Sequence, residues 1–227
     1  YRFTKTQPLD TSLEINATYL NFSISSNYLA KPELLITDNT KRLPEEFEAV
    51  ERVKNFLIEG GLMPKDVATS SGVISYKKSL GGELTPALSL SDADFVTVDL
   101  NRVPIDDYYP IYTPAGEKGV ISAVISGAFT GSNSIVEVDY YYHEVDYSTF
   151  ETYPLRGVKS AWKMVQAGEG YIASGQNLER AVIRSVELAY FDDFEYQPFL
   201  QPIYVFKGDD NFLAYVSAIH PNYLERE

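Results

Sequence analysis

The chain has 227 residues, 44% of them hydrophobic, enough for one large domain or for two lobes of about 100 residues each. Its 32 acidic and 19 basic residues leave a net charge of −13, which repels phosphate backbones and anionic headgroups and argues against nucleic acid as a partner. Without cysteine there are no disulfides, thiolate nucleophiles or zinc–thiolate sites, and no run of about 18 apolar residues is present to cross a bilayer.

Aromatic residues make up 14% of the chain, chiefly 18 Tyr and 12 Phe, and such residues suit a pleated, half-buried sheet. The first residue is Tyr1 rather than Met, and the chain is expected to be part of a longer protein with a signal or anchor upstream.

In chain order, "SLEINATYLNFSISSNY" alternates, with Leu13, Ile15, Ala17 and Tyr19 on one face; one bent strand or two strands fit. "TDNTKRLP" is turn chemistry. "PEEFEAVERVKNFLIEGG" predicts a helix. Pro44, Glu45 and Glu46 suit its first turn, Phe47, Val50, Val53, Phe56 and Leu57 form its apolar stripe, and Gly60 and Gly61 stop it. A short strand at 73–77 and a Gly-rich connection lead to the strand "DFVTVDLNRVPI".

Next come "YYPIYT", a turn at "PAGEKG", "VISAVISGAF" and the alternating "SIVEVDYYYHEVD". A second helix is expected in "YPLRGVKSAWKMVQAGEG", with Val158, Trp162 and Val165 facing inward and Gly168 as the stop. "AVIRSVELAYFDD", "QPIYVFKG" and "FLAYVSAI" close the chain as three strands.

The two halves echo one another. "VDL" at 98–100 matches "VEL" at 186–188, Asp106-Asp107 matches Asp192-Asp193, and "PIY" recurs at 110–112 and 202–204. A spacing of about 90–100 residues exceeds that of solenoid repeats and reads as duplication of one unit. The expected fold is α+β: two tandem αβββ-like units, each an antiparallel sheet covered by a helix, plus N-terminal strands. Residues 1–43 would form the strand region, 44–130 the first lobe and 131–227 the second.

The last third of the chain, "LRGVKSAWKMVQAGEGYI", "VELAYFDD" and "LQPIYVFKGDDNFLAYVSAI", resembles YycH/YycI-type regulatory ectodomains. Ala161-Trp162, Leu188-Ala189-Tyr190, Leu200 through Phe206 and Ala214-Tyr215-Val216 carry the likeness. It implies a membrane-anchored bacterial protein on the envelope side, without catalytic residues, that binds partners including a sensor kinase. Asn16-Ala17-Thr18 and Asn21-Phe22-Ser23 fit glycosylation acceptors, a coincidence in a bacterial chain.

The residues themselves offer little reactive chemistry. The two histidines, His143 and His220, belong to no HExxH spacing, and no Gly-x-Ser-x-Gly elbow is present. Ser75 and Lys78 fit Ser-x-x-Lys without the helix start that would activate the serine, and neither "GGELT" nor "SGQNLER" is a phosphate loop. Asp106-Asp107, Asp192-Asp193 and Asp209-Asp210 lie at strand ends; "GDDN" at 208–211 offers calcium two carboxylates but is also ordinary turn chemistry. The spacing of Trp162 with Val158 and Val165 favours the core over a partner anchor. Tyr140, Tyr141, Tyr142 and His143 form the candidate partner-binding row, since alternation exposes one face of that strand unless both are covered.

The expected function is a non-enzymatic extracytoplasmic regulatory ectodomain that binds another envelope or membrane protein, with no cofactor. An acidic hydrolase or carbohydrate-binding module using the Asp pairs and tyrosines is the alternative, and a calcium-stabilised surface module is a third reading.

Overall fold

The computed structural model describes residues 1–31, 43–116 and 118–224; most of the turn expected in "TDNTKRLP" lies outside them. In chain order the strands begin with β1 (Arg2–Lys5), β2 (Thr11–Ile15) and β3 (Phe22–Ser26). Helices α1 (Glu46–Glu59) and α2 (Lys65–Ala68) follow, then β4 (Val73–Leu80), β5 (Glu83–Pro86), β6 (Phe95–Leu100), β7 (Ile111–Tyr112), β8 (Ile121–Ser126) and β9 (Ile135–Tyr140). Helix α3 (Val158–Gln166) precedes β10 (Tyr171–Ser174), β11 (Ile183–Phe191), β12 (Gln201–Gly208) and β13 (Leu213–Ser217). The architecture is α+β with N-terminal strands. It divides into one unit of Tyr1–Arg102 with Lys118–His143 and another of Val103–Glu117 with Glu144–Glu227.

The first unit holds an antiparallel eight-stranded sheet in the order β1-β2-β3-β9-β8-β6-β4-β5. Helix α1 lays Ala49, Val50, Val53 and Leu57 on Val96, Val98 and Leu100 of β6 and on Ile121, Ala123 and Ile125 of β8. Full burial of Val53 or Leu57 contributes about 1.5–3 kcal/mol each. The expected stripe holds except at Phe47, which faces solvent. The opposite sheet face carries a second cluster of Leu9, Tyr28, Phe95, Val124 and Val136. A register shift beside Val124 and Ile125 turns Val136 to that face, while Val138 two residues on packs under α1.

The second unit holds a five-stranded sheet in the order β10-β13-β12-β11-β7. Helix α3 packs on one face through Ala161, with Met164 and Val165 beside it, against Tyr204, Phe206, Ala214 and Val216. The other face gathers Tyr112, Ala189, Ile203, Val205, Leu213 and Tyr215. The inward face of α3 is therefore centred on Ala161 rather than on Val158 and Trp162, because the small side chain lets the helix come close to the sheet. The hairpin between β12 and β13 turns through Asp210 and Asn211, both at positive φ, with the Phe212 N–H donating to the Asp209 carbonyl; this is a type I′ geometry.

Pairing differs from the expected repeat. β8 and β9, which a boundary at 130/131 would separate, are neighbours in one sheet, and β1–β3 belong to that same sheet. The two "PIY" segments are not equivalent positions in two lobes. Ile111 and Tyr112 in β7 run parallel to Tyr190 and Phe191 of β11, while Pro202, Ile203 and Tyr204 in β12 run antiparallel along the other side of β11. A short Pro-apolar-aromatic triplet suits the start of many strands, so its recurrence marks local propensity.

Gly119 fixes the approach of β8 to β6, since a Cβ there would lie 2.1 Å from the Leu100 carbonyl oxygen. Gly119→Ala is expected to cost about 3 kcal/mol or more in urea unfolding. A variant within about 0.5 kcal/mol of the parent would show that this approach does not constrain the sheet.

Candidate functional site

Residues 140–143 do not form an exposed tyrosine row. Tyr140 is 8% exposed, stacks on Phe22 at 4.8 Å and donates its hydroxyl to the Leu62 carbonyl; burial pushes its pKa up to about 12. Tyr142 lies under the Arg102 guanidinium, 4.2 Å from its carbon to the ring centroid. Arg102 is buried, pairs with Asp66 of α2 at 2.5 Å and donates to the His143 carbonyl. His143 meets Tyr19 edge to face at 6.1 Å. Tyr141 is half-buried and lines a shallow groove on the other sheet face. Strand β9 ends at Tyr140, so the expected strand alternation does not extend to Tyr141, Tyr142 and His143, which lie beyond it.

The acidic pairs also do structural work. Asp106 and Asp107 both have positive φ and form the turn closed by the Tyr108 N–H on the Ile105 carbonyl. Asp192 is buried and its N–H donates to the Tyr112 carbonyl, while Asp193 accepts from the Glu195 N–H. Asp209 takes a two-pronged contact from Arg184 at 2.5 and 2.7 Å. Among the described residues, no three or more His, Asp or Glu side chains are grouped to hold a metal ion. His220 accepts from the Asn222 N–H with its Nδ1 at a short 3-10 turn. Asn16 accepts from the Thr18 N–H, a local turn contact.

The structure does assemble one group that the sequence reading passed over. Antiparallel register places Arg2, Glu14, Ser23, Asp139, Ser122 and Asp99 in one row across six strands, on the sheet face away from α1. Arg2 meets Glu14 at 3.4 Å and Lys118 meets Asp139 at 3.1 Å. A shallow groove of about 510 Å³ runs along the outer end of this row, lined by Arg2, Glu14, Ser23 and Tyr141. At the inner end burial pushes the Asp99 carboxyl above its ordinary 3.8, although Ser122 and Lys118 favour the charged form. Single polar residues inside "VTVDL", "VISAV" and "VEVDY" were the available signal; only register shows that they align.

The second unit presents apolar side chains to solvent. Trp162, the only tryptophan, is 37% exposed and lies over Phe206 at 5.8 Å between ring centroids. Val158, one turn earlier, is 42% exposed, and Phe150, Tyr153 and Leu155 just upstream are exposed as well. The expectation of a core Trp162 is corrected: Ala161 holds the inward position.

No protein family and no curated protein matches the chain. Among solved structures, the Bacillus megaterium YpeB C-terminal domain aligns over 96% of this chain and 84% of its own, at a TM-score of 0.36 and 8% identity. At that level the likeness carries no argument about fold or function, and the YycH/YycI-type resemblance has no family match beside it.

Removing one partner of a buried ion pair strands the other charge, so Arg102→Leu is expected to lose about 3–5 kcal/mol in urea unfolding; an unchanged midpoint would mean that the pair stabilises nothing. Asp99 behaves in the opposite sense. A carboxyl whose folded-state pKa lies above its unfolded value favours folding while protonated and costs stability as pH rises through the folded-state value. Asp99→Asn should therefore raise the urea midpoint at pH 7, with the gain shrinking as pH falls toward the ordinary carboxylate value and absent below about pH 4. A gain independent of pH would assign it to packing instead.

Proposed function

We propose that the chain is a non-enzymatic, extracytoplasmic regulatory ectodomain of a membrane-anchored bacterial protein, acting by contact with another envelope protein. The observation that carries this reading is the surface run from Phe150 to Trp162. Phe150 is 77% and Leu155 47% exposed, and Tyr153, Val158 and Trp162 join them within thirteen residues. Scattered surface apolar residues are ordinary; exposed tyrosine and tryptophan within one short stretch are the residue types that anchor protein contacts.

Two further points support it. The histidines and acidic pairs that catalysis would draw on hold turns and local contacts. The strands "VELAYFDD" and "LQPIYVFKGDDNFLAYVSAI" resemble the YycH/YycI-type ectodomains, whose action is partner binding.

The test places a photo-crosslinking residue at Phe150, Leu155, Trp162 or Tyr141 of the full-length protein in its own cells. Leu88, 99% exposed on the other unit, is the control. A discrete adduct with one envelope protein, formed from the 150–162 positions and not from Leu88, is expected. No adduct from any position would sink the reading. So would turnover of a substrate by the purified protein that a single Asp or Ser substitution abolishes.

A further inference from the structure

Helix α3 has nine residues and rests on β13, at one side of a five-stranded sheet. Neighbouring strands lie about 4.8 Å apart, so β11 lies about 10 Å beyond β13 across β12. Packed helices have their axes 8–10 Å apart. The face of β11 on the α3 side is therefore where a second helix beside α3 would rest.

That strip is apolar and partly open. Val186 pairs directly with Phe206 and Leu188 with Tyr204, so these β11 side chains share the face that α3 covers farther along. Val186 is 40% exposed. Trp162 reaches over the buried Phe206 from the helix, and Val186 stands opposite Phe206 on the next strand.

The charge beside this strip is opposite to that of the whole chain. Lys159 and Lys163 stand one turn apart on the outer side of α3, next to Val158 and Trp162. Arg156, just before the helix, is buried and places its guanidinium on the Met164 sulfur. Among the described residues neither Lys159 nor Lys163 pairs with a carboxylate, whereas Arg184, on the strand that carries Val186, does. The net charge of the protein is −13, so two exposed lysines one turn apart beside an apolar strip give this edge a sign opposite to that of the whole chain.

We propose that the strip beside α3, with Trp162 at its edge, docks an amphipathic helical segment of a partner protein whose rim is acidic. The proposal rests on the binding reading above and names the surface and its occupant. The docked helix would set its apolar side on Val186, Leu188 and Trp162 and bring its carboxylates to Lys159 and Lys163. Attraction of opposite charges across a contact chiefly governs partner choice and the rate of encounter. A basic segment would be drawn to the acidic remainder of the molecule instead.

Trp162 is the only tryptophan and so reports occupancy directly. The probe is a designed helical peptide without tryptophan, with leucines along one side and glutamates on its rim, set against the same peptide with lysines on the rim. The glutamate peptide should shift Trp162 emission to the blue, saturably, with half-saturation raised at least fivefold in the Lys159→Glu/Lys163→Glu variant. That variant should in turn bind the lysine peptide at this surface, and Val186→Asp should abolish the shift with either peptide.

The proposal is overturned if neither peptide moves the emission, if the lysine peptide moves it in the parent protein as well as the glutamate one, or if the charge reversal changes nothing. Phosphatidylglycerol vesicles that shift the emission at a lower concentration than the glutamate peptide would overturn it in favour of a lipid surface. Adducts from Phe150 and Leu155 alongside a silent Trp162 would remove this surface and leave the ectodomain reading standing. Adducts from no position would remove the ectodomain reading itself.

Discussion

Strand β8 is buried along its whole length, from Ile121 to Ser126, and this burial on both faces is the constraint on which the larger sheet depends. One face is closed by the apolar stripe of α1 and the other by the cluster around Tyr28 and Phe95. Where the second cluster ends, the same face continues as Asp99, Ser122 and Asp139, each polar and each opposite the next. Desolvation of Asp99 raises its pKa against the pull of its partners, so that end of the row is held under strain in its charged form. The outer end of the row opens into the groove beside Arg2 and Tyr141.

The smaller sheet meets the same requirement incompletely. Its central strands β12 and β13 are buried on both faces, but α3 rests on β13 and leaves β11, two strands across, beyond its cover. Exposure of Trp162, Val158 and Val186 follows from that geometry, since each lies at the limit of the helix's cover. An Ala at the centre of the inward face brings the helix close to the sheet and leaves its larger side chains at the margin. The apolar surface is thus a consequence of how the sheet is covered, and it coincides with the cations of α3.

Acidic and tyrosine residues account for most of the features that drew notice in the sequence, and the structure spends them on architecture. Asp106-Asp107 and Asp210-Asn211 sit in left-handed turns, where a short polar side chain tolerates positive φ better than a bulky one. Tyr140, Tyr204 and Tyr215 are buried and donate their hydroxyls to backbone carbonyls. A tyrosine used this way contributes ring burial and satisfies its own polar end at once. Its abundance here reflects sheets buried on both faces.

Local physics was legible from the residues alone. The stripe at Val50, Val53 and Leu57, the glycine stop at Gly60 and Gly61, the turn at 208–211 and the alternation of β6 and β9 each depend on a few neighbouring positions. Strand pairing was not legible. That β3 joins β9, that Ile111 and Tyr112 run beside β11, and that Asp99, Ser122 and Asp139 share a row are set by contacts between distant segments, which short motifs do not encode. The position of Trp162 belongs to the same class. Helical spacing placed it on one side with Val158 and Val165, but only the seat of Ala161 on the sheet decided that this side would be half open.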